Sequence, residues 1–252
     1  MALLYGDDAM ERLKRARVAV FGIGGVGGYV VEAFARSGVG ALDLIDHDKV
    51  SRSNLNRQII ATCSTLGRYK VDVAEERIHD INPDCCVRTY RTFFLPETAG
   101  SFDFQDYDYV VDAVDTVTAK LLLAETAQKN DVPIISAMGT GNKIHPELLE
   151  IADLYETSEC PLARIMRKEA RKRGIHRLKV VYSRETPLVP RAPEPEPEFA
   201  ESSEMGEPQY GKKRVTPGST AFVPAAAGLL LASTVVNDLT EATRTCHGTS
   251  NN

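Results

Sequence analysis

The sequence predicts an α/β protein with a doubly wound, mostly parallel sheet, helices on both faces and a mixed C-terminal extension. Short apolar runs alternate with segments of helical spacing through the first 155 residues, which is typical of successive βαβ units. The runs VAVF and YVVDAV are continuously apolar, as strands buried on both faces are. A glycine-rich turn between the first strand and the first helix agrees with the same class.

The predicted strands and helices follow each other regularly along the chain. Apolar runs predict strands over residues 17–21, 41–45, 87–90, 109–114, 132–136 and 148–154, and helical spacing predicts helices over 25–37, 69–81 and 118–129. Pro161 suits the first position of a further helix, because its missing N–H would be unpaired there. The apolar stripe of that helix is Leu162, Ile165, Met166 and Ala170. Gly174 is expected to end the helix, and a short strand over 178–182 follows it.

Length and composition predict one globular domain that spans residues 1–252. The chain is 43% hydrophobic and 26% charged, within the ordinary range of folded proteins. Seven of the thirteen prolines lie in residues 187–217, so this stretch is predicted to be a flexible or disordered insertion. The last apolar run, residues 220–236, is at the short limit for a membrane span. We expect a buried C-terminal helix there rather than a stable span, and peripheral contact with a membrane is left open.

The cysteines indicate a reducing compartment. The chain has five, an odd number, and no C-x-x-C pair. The N-terminal stretch lacks the uninterrupted apolar core of a secretion signal, so we expect a cytoplasmic protein. The missing C-x-x-C pairs also disfavour a structural zinc site.

Charge is distributed unevenly along the chain. The formal net charge of −5 by itself disfavours a nucleic-acid partner, but six glutamates lie in residues 193–208. Residues 164–179 contain eight lysines and arginines against a single acid, Glu169. The cations expected on the outer face of the predicted helix are Arg164, Arg167, Lys168, Arg171 and Lys172. They could follow a tRNA backbone through phosphate contacts, and a solvated helix face is the alternative.

A phosphate-binding turn is predicted after the first strand. Gly22, Gly24 and Gly27 form a G-x-G-x-x-G pattern between a strand and a helix. Gly25 lies inside the pattern, and the free N–H groups of the following helix attract an anion. Asp46 ends the next strand nineteen residues after Gly27, where its carboxylate would accept hydrogen bonds from ribose hydroxyls. The pattern predicts a Rossmann-like nucleotide site.

The polar loop after the second strand favours ATP over NAD. It contains Asp48, Asn54, Arg57 and Gln58. Lys70 starts the next helix, and Arg57 and Lys70 are expected to approach the nucleotide from the side opposite the glycine turn. A triphosphate carries about four negative charges and needs such cations and Mg²⁺, which Asp115 would bind at the end of YVVDAVD. Solvated surface charges are the alternative for Arg57 and Lys70 taken singly.

Five ordered motifs together resemble one known family. GIGGVGG, LIDHDKVSRSNLNRQ, GRYK, INP and VVDAVDT are similar to the ThiF-type adenylating domain of the ubiquitin-activating enzyme superfamily, and the resemblance covers nearly the whole chain. It implies that Asp46 holds the ribose and that Asn54, Arg57 and Lys70 contact the phosphates. It also implies Mg²⁺ on Asp115 at the α-phosphate under attack, and a homodimer. Arg57, Lys70 and Asp115 would then be the catalytic residues, and a monovalent cation is left open.

Two branches of that superfamily compete. Adenylyltransferases that activate the C-terminus of a ubiquitin-like sulfur carrier commonly have two C-x-x-C pairs, which this sequence lacks. The segments AMGTGNKIHPELLEIADLY and PGSTAFVPAAAGLLLASTVVNDL instead resemble the tRNA threonylcarbamoyladenosine dehydratase family. That resemblance implies ATP-dependent adenylation of the threonylcarbamoyl carboxylate on tRNA, followed by cyclisation to a hydantoin. Sulfur-relay or electron-transfer proteins are left open as further partners.

Two further classes of function are kept as alternatives. A nucleotide-sensing module would hold ATP without turnover, whereas an NAD oxidoreductase is disfavoured because nothing after residue 115 resembles a hydride-transfer site. Ring closure by the ureido nitrogen of the substrate needs no protein nucleophile. Cys160 is accordingly predicted to be a packed residue rather than a thioester nucleophile.

Overall fold

A seven-stranded sheet forms the centre of the fold. The structure, a computed structural model, describes residues 1–190 and 217–245, so most of the insertion predicted at 187–217 lies outside the described residues. The strands are β1 (Arg17–Phe21), β2 (Ala41–Ile45), β3 (Cys86–Tyr90), β4 (Tyr109–Asp112), β5 (Ile134–Ala137), β6 (Leu149–Asp153) and β7 (Lys179–Ser183). Their order in space is β3-β2-β1-β4-β5-β7-β6, with only the β6–β7 pair antiparallel. The predicted fold class is confirmed.

The described residues form a helix at each position where the sequence pattern predicts one, and two helices before β1 that it did not predict. The helices are α1 (Ala2–Tyr5), α2 (Asp7–Arg15), α3 (Gly27–Ser37), α4 (Lys70–Ile81), α5 (Val117–Lys129), α6 (Pro161–Lys172) and α7 (Phe222–Thr245). Helix α3 begins two residues later than predicted, because the glycine turn occupies the residues before Gly27. It ends at Gly38, whose φ of 80° is the left-handed conformation typical of a helix C-terminus.

Both faces of the five inner strands are buried, which explains the apolar runs, whereas the edge strands β3 and β6 are partly exposed. In β1, Val20 packs into a core shared with Phe34 of α3 and Leu231 of α7. Its neighbour Phe21 points to the other face, into a core with Leu123 of α5. Burial of each such large side chain contributes about 1.5–3 kcal/mol. Neither face of β1 therefore tolerates the polar alternation of a half-exposed strand.

Helix α7 closes one face of the sheet and approaches the start of α3. Leu231 and Val235 are fully buried, whereas Leu229 is 50% exposed. A Cβ on Gly228 would lie 2.5 Å from the carbonyl oxygen of Val26, so the two helices meet without a side chain between them. By length and composition α7 could cross a membrane, but half of its most apolar stretch is buried in the described structure. A core helix passes the same test.

The chain reverses its direction of travel across the sheet next to β1. Strands β2 and β3 lie on one side of β1, and β4 and β5 lie on the other. Ligands of such sheets bind at this switch point, in the crevice beyond the carboxyl ends of the strands. The functional residues are therefore expected beyond the carboxyl ends of β1 and its neighbouring strands.

Candidate active site

A cavity of about 400 Å³ opens at the switch point. The predicted residues that line it are Gly22, Gly24, Gly25, Asp46, Asp48, Asn54, Arg57, Gln58, Lys70 and Asp115. Gly27 does not line the cavity, because it lies inside the turn. The fold thus brings residues from four separate motifs to one concave surface.

Two glycines of the turn are required by close approach of the backbone. Gly22 has φ 90°, and a Cβ there would lie 2.7 Å from the carbonyl oxygen of Ala113, in the segment after β4. A Cβ on Gly27 would lie 1.8 Å from the carbonyl oxygen of Gly22. Gly24 and Gly25 instead face the cavity, where the absence of side chains leaves the start of α3 accessible to a phosphate.

Asp46 ties the end of β2 to the glycine turn. The backbone N–H of Ile23 donates to Asp46 Oδ2 (2.7 Å), and the N–H of Asp48 donates to Asp46 Oδ1 (2.8 Å). The carboxylate is 9% exposed and faces the cavity. Each carboxylate oxygen can accept more than one hydrogen bond, so a pair of ribose hydroxyls remains an acceptable partner.

Lys70 places a buried ammonium beside two carboxylates. Its Nζ lies 2.7 Å from Asp48 Oδ2 and 3.9 Å from Asp46 Oδ2, and its side chain is 6% exposed. Asp46, His47 and Asp48 could hold a metal ion by the spacing of their ligand atoms. The Lys70 ammonium already occupies this electrostatic position, so the trio is a poorer site for a divalent cation than an unpaired carboxylate.

Arg57 lies on the glycine turn, not opposite to it as the sequence suggested. A Cβ on Gly25 would lie 3.4 Å from Arg57 Cγ. The Arg57 guanidinium donates to the carbonyl of Ser53 (2.8 Å) and to Asn56 Oδ1 (2.9 Å). Because these bonds hold the arginine beside the phosphate-binding turn, a phosphate there would meet Arg57 and the start of α3 on one side.

Asn54 and Gln58 have different surroundings in the same loop. Asn54 is buried and accepts a hydrogen bond from the N–H of Ser51 (3.1 Å), so it shapes the loop. Gln58 Oε1 is buried and has no hydrogen-bond partner within the described residues. A buried acceptor without a partner carries a free-energy cost, which a donor group on a ligand would remove. This orphaned oxygen supports the presence of a polar ligand in the cavity.

Asp115 is exposed just beyond the end of β4. Within the part of the chain that the structure describes, it has no hydrogen bond or ion pair. It faces the same cavity as Lys70 and Arg57. Such a carboxylate, in one cavity with two cations, can bind Mg²⁺ while the cations contact the phosphates.

The cavity has a further wall that the motifs did not predict. It includes Thr92, Phe93, Phe94, Lys120, the segment 137–141, Leu162, Ser219 and Pro224. Phe93 is half exposed and its ring stacks on that of His47, at the mouth beside Asp46. The glycines in AMGTG could have indicated the segment 137–141. No sequence signal distinguishes Lys120 from an ordinary surface lysine.

Lys143 is buried directly behind this wall. Its Nζ donates to the carbonyl of Gly139 (3.0 Å) and, more weakly, to that of Ser183 (3.4 Å). Burial lowers the pKa of Lys143, although the nearby Cys160 and Glu185 act in the opposite direction. The glycine segment therefore rests on an ammonium that is costly to keep charged.

The basic helix α6 divides into exposed cations and one that turns inward. Arg164, Lys168, Arg171 and Lys172 are exposed. Arg167, predicted to face outward, instead donates to the carbonyl oxygen (2.8 Å) and the hydroxyl of Thr157. It is a poor candidate for a phosphate contact, because its guanidinium already donates hydrogen bonds to the turn before α6.

Two apolar positions near α6 also differ in burial. Ile165, predicted in the apolar stripe, is 49% exposed. Cys160 is 3% exposed and packs in the core beneath α6, which fits a packed residue better than a nucleophile.

Comparisons with known proteins agree with this geometry. The ThiF family profile matches residues 1–251. The tRNA threonylcarbamoyladenosine dehydratase of Bacillus subtilis (strain 168) is 42% identical over 238 residues, which is 94% of this chain and 92% of that protein. The crystal structure of the Escherichia coli tRNA N6-threonylcarbamoyladenosine dehydratase in complex with ATP is 30% identical, with a TM-score of 0.82 over 98% of this chain and 94% of that one.

A second group of relatives is more distant. The adenylyltransferase and sulfurtransferase UBA4 of Candida glabrata is 34% identical over 149 residues, which is 59% of this chain and 34% of that protein. The family profile, by contrast, covers the chain almost from end to end. The chain therefore belongs to the ThiF family.

Proposed function

We propose that this protein uses ATP to dehydrate threonylcarbamoyladenosine in tRNA to its cyclic hydantoin. The observation that carries the proposal is the similarity to the Bacillus subtilis dehydratase through both halves of the chain. This similarity therefore includes the wall at 137–141 and helix α7 as well as the glycine turn. The cavity at the switch point supplies the geometry that an adenylating enzyme requires.

We infer one orientation for ATP in the cavity. The phosphates lie on the glycine turn at the start of α3, beside Arg57 and Lys70, where helix N–H groups and two cations favour negative charge. The ribose lies on Asp46 at the end of β2. The adenine then reaches the stacked rings of His47 and Phe93, which offer an aromatic surface at the mouth.

Asp115 is the proposed ligand of Mg²⁺. Its carboxylate is exposed to the cavity and free of partners within the described residues, so it fits a hard cation that also touches the phosphates. The ion would neutralise charge as the pyrophosphate leaves. Arg57 and Lys70 would hold the phosphates in line with the attacking carboxylate.

The chemistry proceeds in two steps that need no protein nucleophile. A carboxylate oxygen of the threonylcarbamoyl group attacks the α-phosphorus of ATP, and pyrophosphate leaves. The ureido nitrogen then attacks the activated carbonyl, AMP leaves with the C–O bond electrons, and the nitrogen loses its proton. The net result is loss of one water from the nucleoside. The cavity contributes positioning and charge neutralisation, which account for most of the rate enhancement in such transfers.

The tRNA is expected to contact the exposed face of α6. Arg164 and Lys168 project to solvent, and Arg171 lies over the ring of Tyr155 with its guanidinium 5.2 Å from the centroid. Lys172 is exposed but pairs with Glu169 at 2.8 Å. Phosphate contacts from these residues would position the tRNA without reading its sequence.

The remaining partners belong to the same proposal. A homodimer in the cytoplasm is expected from the family. A monovalent cation, a sulfur-relay or electron-transfer protein, and peripheral contact of α7 with a membrane remain predictions without a structural observation of their own. Activation of a ubiquitin-like sulfur carrier is the second candidate function, favoured only by the similarity to UBA4 over 59% of the chain.

A turnover assay with defined tRNA tests the proposed function. The protein is incubated with ATP, Mg²⁺ and tRNA that carries threonylcarbamoyladenosine, and the nucleosides are analysed by mass spectrometry. We expect the modified nucleoside to lose the mass of one water, while the same tRNA without the modification stays unchanged. Release of pyrophosphate with a ubiquitin-like protein, and none with tRNA, would establish the second candidate instead.

The tRNA surface has its own test. Changing Arg164 and Lys168 to Ala should reduce the slope of log Kd against log salt concentration by roughly one to two units, because two phosphate contacts are lost. The matched control is Arg167→Ala, which should lower the thermal stability but leave the slope unchanged. An equal salt dependence in all three proteins would exclude this face of α6 as the tRNA contact.

A further inference from the structure

Lys120 is a fully buried lysine at the floor of the cavity. Its side chain is 1% exposed, and it projects from the first turns of α5. Its Nζ lies 3.1 Å from both oxygens of Asp112 and 2.7 Å from the carbonyl oxygen of Ala137. One ammonium therefore joins the end of β4 to the end of β5.

At one end of this link, Asp112 supports the turn that leads to Asp115. Asp112 Oδ1 accepts a hydrogen bond from the N–H of Val114 (3.1 Å), so the carboxylate shapes the turn whose next residue is Asp115. The hydroxyl of Ser136 also donates to Asp112. On its other side the turn lies against Gly22, where no Cβ could fit. The position of Asp115 is thus set from below by Asp112 and laterally by the glycine turn.

At the other end of the link, Ala137 precedes the cavity wall formed by residues 138–141. Ala137 ends β5, and the next residues, Met138 to Gly141, line the same cavity as the glycine turn. Because the nucleotide is proposed to lie on the glycine turn, this wall is the proposed surface for the group that attacks it. Lys120 consequently holds a fixed separation between the carboxylate proposed for Mg²⁺ and the surface proposed for the acyl substrate.

We propose that Lys120 is a positioning residue for adenylation, acting through Asp115 and through the wall at 138–141. The inference rests on the proposed function, since it assigns the metal side and the acceptor side of the same cavity. In-line attack requires the attacking and leaving oxygens to be held together within fractions of an ångström. A buried ammonium whose three hydrogen bonds, of 2.7–3.1 Å, reach both walls satisfies that requirement.

A purely structural role makes a different prediction. Burying an ion pair is expensive, and a neutral pair of the same shape often serves folding equally well. Removing Lys120 alone leaves a buried charge on Asp112 without its partner, so Lys120→Met is expected to be destabilised in either case. The informative protein is Asp112→Asn with Lys120→Met, in which the amide still accepts from the N–H of Val114 but the tie to Ala137 is lost.

The test compares this double variant with the wild type and with Lys129→Met, an exposed lysine on the same helix. Binding of a non-hydrolysable ATP analogue is measured by calorimetry across a Mg²⁺ titration, and single-turnover dehydration of the tRNA is measured in parallel. In the double variant we expect thermal stability above that of Lys120→Met, with a modest loss from the unpaired Ala137 carbonyl oxygen, and analogue affinity without Mg²⁺ within about twofold of the wild type. We expect the half-saturating Mg²⁺ concentration to rise about fivefold or more, and turnover to fall about 10–100-fold.

Each outcome decides between the two roles. A double variant with wild-type Mg²⁺ dependence and wild-type turnover would overturn the proposal and leave Lys120 a structural residue. A Mg²⁺ shift in the analogue titration would support it even if the wild type failed to dehydrate the tRNA, because that failure would refute only the proposed function. Lys129→Met should match the wild type throughout.

Discussion

The two walls of the cavity are built in different ways. The wall formed by the glycine turn, Asp46 and Lys70 comes from motifs in which side-chain type matters. Its carboxylates bond to Ile23 in the glycine turn and to Lys70 at the start of α4. The opposite wall, at 137–141 and 217–224, is held mainly through its backbone groups, which bond to side chains, most of them distant in the sequence: Lys120, Lys143, Asn142 and Asn56. The residue types of the first wall therefore indicate its chemistry from the sequence alone, whereas the contacts that hold the second wall can be identified only in the folded structure.

Asn142 shows how the second wall is fastened. It has φ 59°, its N–H donates to the carbonyl of Gly218 (2.8 Å), and its Oδ1 accepts from the N–H of Gly218 (2.7 Å). Its own carbonyl accepts from the N–H of Leu188 (2.7 Å). On the other side, Asn56 donates to the carbonyl of Ser219 (3.1 Å). The strap 217–220 thus joins the second wall to the Arg57 loop of the first.

The largest expected effect belongs to Asp115, where the two walls meet. Asp115→Ala should lower turnover by about 10²–10³-fold, the usual cost of losing one charge-stabilising group in the transition state. Thermal stability should hardly change, because the side chain is exposed and has no partner within the described residues. Asp84→Ala, an exposed carboxylate just before β3 at the other edge of the sheet, is the matched control. Retained turnover in Asp115→Ala would refute the assignment of the metal ligand.

Two glycines of the first wall are expected to have different roles, Gly27 in backbone packing and Gly24 in ligand binding. Gly27→Ala should cost about 3 kcal/mol of unfolding free energy, because the new Cβ would lie 1.8 Å from a backbone oxygen that cannot move freely. Gly24→Ala should unfold like the wild type, since its Cβ would meet only Gln58 Nε2 at 3.8 Å. Its affinity for ATP should nevertheless fall about tenfold, because the methyl group faces the phosphate.

Urea unfolding and ATP calorimetry measure the two effects of the glycines separately. Gly100→Ala, where no atom lies within 4 Å of the added Cβ, serves as the control for an exposed glycine. If Gly24→Ala lost stability and kept its ATP affinity, the phosphate would have to bind elsewhere.

The features predicted from the sequence are those that depend on residues near one another in the chain. The strand and helix order was predictable because buried runs and helical periodicity are local signals, and so were the glycine turn and Asp46. The link from Lys120 to Ala137 was not, because it depends on β4 and β5 lying side by side. Arg167 was misjudged for the same reason: its partner, the turn at Thr157, is visible only in three dimensions.

A smaller effect is expected from loosening the strap. Asn142→Ala removes the side-chain acceptor for Gly218 and also places alanine in a left-handed conformation that asparagine tolerates better. Each loss should cost about 1 kcal/mol. Asn142→Gly removes only the hydrogen bond, so it should lose about half as much stability. Both variants should raise the KM for ATP several-fold with a smaller change in kcat, because Ser219 and Pro224 line the cavity. An unchanged KM would separate the strap from the nucleotide site.

The smallest effect concerns the pH dependence of the second wall. Burial lowers the pKa of Lys143 below its ordinary value of 10.5, so the unfolded chain binds more protons at this position than the folded one as the pH approaches that value from below. The unfolding free energy of the wild type should therefore rise with pH in that interval, by at most about 1.4 kcal/mol per pH unit for one proton. Lys143→Met lacks this titration. The difference between the two proteins in urea unfolding should shift in favour of the wild type from pH 7 to pH 9.5. A constant difference would mean that burial carries no free-energy cost for the Lys143 ammonium that supports the Gly139 carbonyl.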